Sequence, residues 1–365
     1  MLIHNFRPGP VGGAELQAER LASRLVAMGH EMQVLTMRTV PDALSEETLD
    51  GVRIHRVDYH LAYWVDHGAG QTFRDLVKMR STYDILHAHM AFGHAVVAVV
   101  VARCFGKKSI IKIACAGEFG DLAKFSRFRG FGKALRVLRQ ADAVVAVSSE
   151  VEQELLSYNF PHQRIVRIPN GVDTAYFRPR SSRERGRKTR FILIGRRHPQ
   201  KGVDVALSAA KILRDRGLAS RFQINFYGAD YPEYDYRIMA NAVGVASFVH
   251  FAPHQQDMLS VYQDADCFLL PSRGEGLSNA LLEAMAMELP VVATAVSGTI
   301  DVVDDSVDGL LIPPDSPEAL ADAMQMIMEN PRLASELGKM ARKKVERHYS
   351  LESVARQYSD LYEQL

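Results

Sequence analysis

The sequence predicts two doubly wound α/β domains in tandem, each a mainly parallel sheet with helices on both faces. Three observations predict it. Short apolar, β-branched runs alternate with longer amphipathic ones. The alternation stops in a polar, aperiodic stretch, RPRSSRERGRKTR (178–190), and then begins again. The chain is 365 residues long, too long for one ordinary core and suited to two. The expected division is a first domain over 1–177, a linker over 178–190, a second domain over 191–348, and a closing helix over 349–365 that packs back on the first domain.

In the first domain the strand candidates are MLIHN (1–5), EMQVLTM (31–37), VRIHRV (52–57), DILHAHM (84–90), SIIKIAC (109–115), AVVAVSS (143–149) and RIVRIPN (164–170). Helical stretches lie between most of them. In AELQAERLASRLVAMGH, Ala14, Ala18, Leu21, Leu25 and Met28 share one face, and Gly29 is a natural stop. The second domain repeats the pattern with FILIG (191–195), FQINFYG (222–228), FVHFA (248–252), DCFLLPS (266–272), PVVATAV (290–296) and GLLIPP (309–314). The tail LESVARQYSDLYEQL (351–365) is amphipathic and has no strand after it. Sheets of this kind bind ligands outside the carboxyl ends of their strands, and two such sheets facing each other make a cleft.

Composition narrows the class. Hydrophobic content of 47% with 24% charged residues is that of a globular protein. Three cysteines, Cys104, Cys115 and Cys267, lack a C-x-x-C pairing, which argues against a disulfide framework or a zinc site and fits a reducing cytoplasm. No signal peptide opens the chain, and its most apolar stretch, HAVVAVVVARCF (94–105), is too short to span a bilayer. The net charge of +1 hides an asymmetry, +5 over 1–180 and −4 over 181–365. Neither half is basic enough for general nucleic-acid binding.

Three stretches at strand–helix junctions carry candidate chemistry. In GPVGGAEL (9–16), Gly12 and Gly13 allow unusual backbone angles and close approach, and the helix start behind them favours an anion; taken alone, a plain glycine turn explains them better. In LIGRRHPQKGVD (193–204), Arg196 and Lys201 sit five apart across a turn holding Pro199. Two cations at a strand end suit a diphosphate, whose charge grows as it leaves. In SRGEGLSNALLEAMAMELPVVAT (272–294), Glu275 and Glu283 are eight positions apart, with Ser278 or Asn279 as the helix N-cap between them. Eight residues span at most roughly 12 Å if helical, so the two carboxylates could hold hydroxyls at opposite ends of one elongated ligand. First-turn acids favoured by the helix dipole explain either glutamate singly, but not both beside further anion-binding features.

Taken jointly, GGAE, IPNGVD (168–173), GRRHPQKG and EGLSNALLEAMA resemble the retaining nucleotide-sugar glycosyltransferases of family 4, which have the GT-B fold. The resemblance covers nearly the whole chain, and its E-x7-E motif at Glu275 and Glu283 is its most specific part. It implies that Arg196 and Lys201 hold the donor diphosphate and stabilise it on leaving, and that Glu275 contacts the donor sugar. The backbone of Leu277, Ser278 and Asn279 would meet sugar hydroxyl and phosphate, Glu283 would hold the ribose, and Gly12 and Gly13 would approach the donor from the other domain. It also implies a UDP- or GDP-type donor, a glycan or lipid-linked acceptor, no cofactor and no metal. No D-x-D stands at a strand end, and Asp304–Asp305 reads as a solvated turn.

Two departures from the family pattern stand out. Many relatives carry a histidine after the strand that here reads IIKIACAGEFGD (110–121), where this chain has Cys115, Ala116 and Gly117. Glu118, Asp121, His87 and His89 are the nearby polar candidates, with His87 expected to be packed and His89, nearer the strand end, more open. The first strand is also brief, which suggests a natural start somewhat upstream. Separately, KFSRFRGFGKALRVLRQ (124–140) holds six cations and no acid, interleaved with Phe125, Phe128 and Phe131. It reads either as a basic aromatic helix for an anionic membrane or lipid-linked acceptor, through Arg127, Arg129 and Lys133, or as a packed helix with Leu135 and Leu138 inward.

The expected activity is a cytoplasmic, metal-independent, retaining hexosyltransferase in cell-surface polysaccharide or glycolipid synthesis, with peripheral contact at the inner face of the plasma membrane if the basic segment works in that way. Two other readings stay open. One is a sugar-nucleotide epimerase on the same architecture, against which the E-x7-E spacing stands. The other is a non-catalytic sugar-nucleotide-binding protein, motivated by the missing histidine.

Overall fold

The computed structural model describes residues 1–365 except 10, 11, 62–66, 181–185, 187, 254 and 256. Most of the expected linker core therefore lies outside the described residues, as do Pro10 and Val11 of the first glycine stretch. The chain divides into two compact units, residues 1–171 with 351–365, and residues 172–350.

The first unit contains α1 (Gly13–Ala27), β1 (Gln33–Met37), β2 (Glu46–Leu49), β3 (Val52–Val57), α2 (His67–Lys78), β4 (Ile85–His89), α3 (Gly93–Phe105), β5 (Lys108–Ile113), α4 (Asp121–Phe125), α5 (Phe131–Leu138), β6 (Ala143–Ala146), α6 (Ser149–Ser157) and β7 (Ile165–Arg167). Its strands run in the orders β2-β3-β1 and β4-β5-β6-β7. The residues expected to form the first strand join these two sheets. Leu2 bridges in parallel to both Leu35 and Ala88, donating its N–H to His87 and accepting from His89 N, although no longer strand develops there. All pairings are parallel except β2 with β3. That hairpin is an addition to the expected pattern. Its two-residue loop, Asp50–Gly51, has φ of 49° and 77°, the left-handed pair that matches the twist of adjoining antiparallel strands.

The second unit contains β8 (Thr189–Ile194), α7 (Val203–Asp215), β9 (Phe222–Tyr227), α8 (Tyr236–Ala242), β10 (Val249–Ala252), α9 (Met258–Gln263), β11 (Cys267–Leu270), α10 (Asn279–Ala286), β12 (Val291–Thr294), α11 (Ser297–Ile300), β13 (Leu310–Ile312), α12 (Pro317–Glu329) and α13 (Pro331–His348). Its six strands are all parallel in the order β10-β9-β8-β11-β12-β13. The chain winds outward from β8 through β9 to β10, and from β11 through β12 to β13. The order therefore reverses between β8 and β11, where an open parallel sheet leaves a crevice at its carboxyl edge. Strands β11 and β12 are buried throughout, which explains their unbroken apolar runs.

The last helix, α14 (Leu351–Gln364), belongs to the first unit. Val354, Ala355, Tyr358 and Leu361 enter the same core as Ala18, Leu21 and Leu25 of α1 and Ile110 of β5. Arg24 pairs with Glu352, and His87 Nδ1 lies 2.7 Å from the Tyr362 hydroxyl. The second core gathers Phe191, Leu193, Ile224, Phe226, Leu269 and Val292 from the sheet with Val203, Ala206, Leu320, Met324 and Ile327 from α7 and α12. Among the described residues no helix is long and apolar enough to cross a membrane.

Candidate active site

The site candidates of the second unit sit on the loops after β8 and β11, the two strands that flank the reversal, and in α10, which follows the second loop. After Ile194 the chain makes a short 3-10 turn, Pro199–Lys201, capped by His198, whose Nδ1 accepts from Gln200 N at 3.1 Å. Gly202 ends this turn and begins α7 in the left-handed region, with φ of 63°. A Cβ there would stand 1.9 Å from the Pro271 carbonyl oxygen, so only glycine lets the two loops come this close.

The loops are then joined through side chains. Lys201 Nζ donates to Glu275 Oε1 at 2.6 Å, and Ser272 Oγ donates to the same oxygen at 2.6 Å. Gln200 Nε2 donates to the Gly274 carbonyl at 2.8 Å, and Arg273 N donates to the Gln200 carbonyl at 2.8 Å. The Arg273 guanidinium takes Asp204 through two bonds of 3.0 and 2.6 Å, and Asp315 through a third of 2.7 Å. The Asp204 carboxylate, followed by that of Asp315, pushes its pKa further up, so this cation is permanent. Sequence reasoning passed over Arg273, because its partners lie 69 and 42 residues away.

The adjacent arginines have opposite fates. Arg197 is buried, donates to Asp230 at 2.6 Å and to the Ala252 carbonyl at 2.9 Å, and lies over the Phe251 ring. Arg196 is exposed, and among the described residues its guanidinium has no hydrogen bond or ion pair. Of the cations on this loop, it is the one left to the solvent.

Ser278 is the N-cap of α10, its Oγ accepting from Leu281 N at 3.3 Å, while Asn279 is the first helical residue. Leu277 and Ser278 are buried. Glu275, on the loop, and Glu283, within the helix, are each 6% exposed. Carboxylates that deep require donors. Glu275 has Lys201 and Ser272, and Glu283 Oε2 accepts from the Tyr262 hydroxyl at 2.8 Å. The structure thus brings Lys201 and Glu275 into direct contact, with Arg196 on the same loop as Lys201. Asp304 and Asp305 play a local part: Asp304 pairs with Lys344 at 2.7 Å and Asp305 accepts from Leu311 N at 2.8 Å. No group of three or more metal-ligating side chains occurs among the described residues.

In the first unit the expectations need more revision. Gly12 is the N-cap of α1 with φ of −94°, which any residue adopts, and its N–H is taken by Glu15 Oε2 at 3.1 Å. Neither Gly12 nor Gly13 is in the left-handed region. His89 is not open; like His87 it is buried, the two rings stack 4.5 Å apart, and burial holds both pKa values well below the usual histidine range. Where the resemblance implies a histidine, Gly117–Phe119 makes a 3-10 turn with Gly117 at φ of 69°. Asp121, buried, accepts from Ala114 N at 2.8 Å, and Glu154 accepts from Gly117 N at 3.1 Å. Burial raises the Asp121 pKa to about 6 and that of Glu154 to about 7. Both carboxyls therefore hold the loop's backbone, while Glu118 faces solvent.

The basic segment is not one helix. It breaks between α4 and α5 at residues 126–130, where Phe128 stacks on the buried Phe125 at 5.8 Å and Phe131 meets it edge-on at 5.7 Å. The aromatic rings make a local core, and Leu135 and Leu138 are buried with it. Arg127, Arg129 and Lys133 are exposed and have no ion pair among the described residues.

Comparison with known proteins assigns both units. Residues 11–176 match the family described as Glycosyltransferase Family 4, and residues 188–330 match Glycosyl transferases group 1. A D-inositol 3-phosphate glycosyltransferase of Acidothermus cellulolyticus is 28% identical, across 90% of this chain and 80% of its own. HepE of Anabaena, solved in complex with UDP, superposes with a TM-score of 0.77 at 16% identity over the whole of both chains, and its UDP-glucose complex gives the same score at 17%, over 100% of this chain and 98% of its own. WaaG, a glycosyltransferase involved in lipopolysaccharide biosynthesis, gives 0.74 at 18%, covering 99% of this chain and 98% of its own. At these identities the structural likeness is one of fold, and that fold is GT-B. With the two family matches together covering most of the chain, it belongs to the glycosyltransferases of the family 4 type.

Proposed function

We propose that this glycosyltransferase moves a hexosyl group from a UDP- or GDP-sugar to a hydroxyl acceptor with retention of anomeric configuration and without a metal. The observation that carries the reading is the crossing of the β8 and β11 loops, where Lys201 meets Glu275 at 2.6 Å and Arg196 stands exposed on the same loop as Lys201. Two cations at a parallel-sheet crevice suit a diphosphate whose charge rises on departure. They take the part a divalent cation would otherwise play. A buried carboxylate one loop away suits the sugar hydroxyls, and Glu283, one helical segment further, suits the ribose.

In this reaction the bond between the anomeric carbon and the β-phosphate oxygen breaks, and its electron pair leaves with the diphosphate. The acceptor oxygen bonds to the same face of that carbon, and its proton passes to the departing phosphoryl oxygen. Glu275 is not cast as a nucleophile, because Oε1 is held by both Lys201 and Ser272. Its part is to orient the sugar, together with the backbone of Leu277, Ser278 and Asn279, while Lys201 and Arg196 stabilise the leaving group.

The UDP and UDP-glucose complexes of HepE support a UDP-sugar as donor, and the role of WaaG in lipopolysaccharide biosynthesis supports a cell-surface glycan or glycolipid product. The exposed Arg127, Arg129 and Lys133 would then meet an anionic membrane or lipid-linked acceptor. A thermal-shift screen with UDP-, GDP- and ADP-sugars in EDTA tests the donor. A ligand at 100 times its Kd stabilises by about 2.7 kcal/mol. Transfer by the bound donor, with the product anomer read by NMR, tests the rest. Epimerisation of donor incubated alone, or tight binding with no transfer to any acceptor, would replace the proposal by one of its rivals.

A further inference from the structure

We infer that Tyr262 is a positioning residue for the nucleoside end of the donor, acting through Glu283; the inference rests on the donor reading above. Tyr262 lies in α9, 21 residues before Glu283, and its side chain is 0% exposed. Its hydroxyl is 2.8 Å from Glu283 Oε2 and 3.2 Å from the Ala280 carbonyl oxygen. A phenol has one proton to give, and the carboxylate oxygen is both nearer and charged, so the proton points to Glu283.

The ring that carries this hydroxyl is walled by two others. Phe177, from the segment after β7, stands edge-on at 5.7 Å, and Phe268 of β11 lies tilted at 6.5 Å. The donor therefore stays fixed in direction, and with it the plane of the carboxylate. One oxygen of Glu283 is committed to the protein. The direction of that bond constrains how the carboxylate can face a ribose. Glu275 shows a related arrangement, with Ser272 Oγ at 2.6 Å on Oε1. Each glutamate of the pair thus accepts from a hydroxyl, that of Glu275 from its own loop and that of Glu283 from α9.

Tyr262→Phe removes one oxygen and keeps the ring and its aromatic neighbours. The full-length wild type, Y262F, E283A and the double variant are compared by calorimetry with UDP and GDP, and by steady-state kinetics with the donor the screen identifies. Y262F is expected to weaken nucleoside diphosphate binding about tenfold, the scale of one hydrogen bond to a charged group. The donor KM should rise to match while kcat at saturation stays put. The double variant should bind no more weakly than E283A alone, since the inferred effect of the hydroxyl passes through the carboxylate. A Y262F protein that binds like wild type while E283A loses affinity would overturn the inference and leave the donor reading intact. Unchanged binding by E283A would overturn both. Equal losses that add in the double variant would make Tyr262 a part of the core with no hold on Glu283.

Discussion

Replacing Lys112 by methionine is expected to stabilise the first unit, by an amount that depends on pH. Lys112 is in β5, 4% exposed, with its Nζ donating to Asn170 Oδ1 at 2.9 Å and lying 5.7 Å from the Tyr358 ring centre. The groups that face it from β4 and α14 are His87, His89 and Tyr358, and no carboxylate among the described residues pairs with it. Burial lowers its pKa from 10.5 to about 7. The unfolded chain therefore binds this proton more tightly than the folded one, and wild-type stability rises with pH between those two values. The linkage costs about 4–5 kcal/mol near pH ~6.5 and only about 1–2 kcal/mol near pH ~9.5. Methionine removes that cost but forfeits the bond to Asn170, about 1–3 kcal/mol at every pH. The pH-dependent part is thus separable: the K112M advantage should shrink by about 3 kcal/mol over those three pH units. Hydrogen exchange of β4–β6 peptides under increasing urea, at both pH values, measures it where Lys112 sits. A difference between variant and wild type that does not change with pH would refute the claim that Lys112 is buried at the expense of its charge.

Lys201→Ala and Arg196→Ala should each slow transfer by ~2–4 kcal/mol of barrier, but only the first should lower stability, because it strips the buried Glu275 of its cation; kinetics paired with melting curves separate the two. Glu283→Ala should weaken free nucleoside diphosphate by ~1.5–3 kcal/mol, whereas Glu275→Ala should depress turnover without loosening the nucleotide, and calorimetry showing the reverse would turn the proposed donor orientation around. Reversing Arg127, Arg129 and Lys133 to glutamate should abolish salt-sensitive sedimentation with phosphatidylserine vesicles, while wild-type protein that ignores such vesicles at low salt would leave the segment as packing alone.

The parallel sheets were legible because their strands are short, apolar and punctuated, and because the pattern restarts after residue 190. What escaped was local or long-range. The Asp50–Gly51 hairpin carries one of the strongest turn signals in the chain, yet an alternation of strand and helix leaves no place for it, so the polar β2 is absent from the strand candidates. Residues 124–140 have helical composition throughout, but packing Phe128 and Phe131 on Phe125 requires the chain to turn at Gly130, and that tertiary demand outweighs propensity. His89 read as open from its place at a strand end; α14, more than 260 residues later, helps close that region over, with Tyr358 and Tyr362 against its neighbour His87. Arg273 and Tyr262 had no signal at all, since the bond that gives each its meaning is to a residue far along the chain.

Within the candidate site the accounting of charge selects among residues that the sequence cannot rank. Arg197 and Arg237 both bond to Asp230, and Arg273 is held by Asp204 and Asp315. These three cations fix the loops after β8, β9 and β11, and their charge is already answered by carboxylates. Lys201 is shared with Glu275, so an approaching diphosphate would meet a cation whose field is partly cancelled. Among the described residues, Arg196 alone of this set has no carboxylate on it. An anion at the crevice would therefore gain most from Arg196 on approach and from Lys201 once the two share it. Removing Arg196 should then slow association with nucleoside diphosphate and flatten its salt dependence, whereas removing Lys201 should act mainly on how long the nucleotide stays. Stopped-flow binding across ionic strength distinguishes the two, and equal effects of both variants on the association rate would show that the Lys201–Glu275 pair does not cancel the lysine's field.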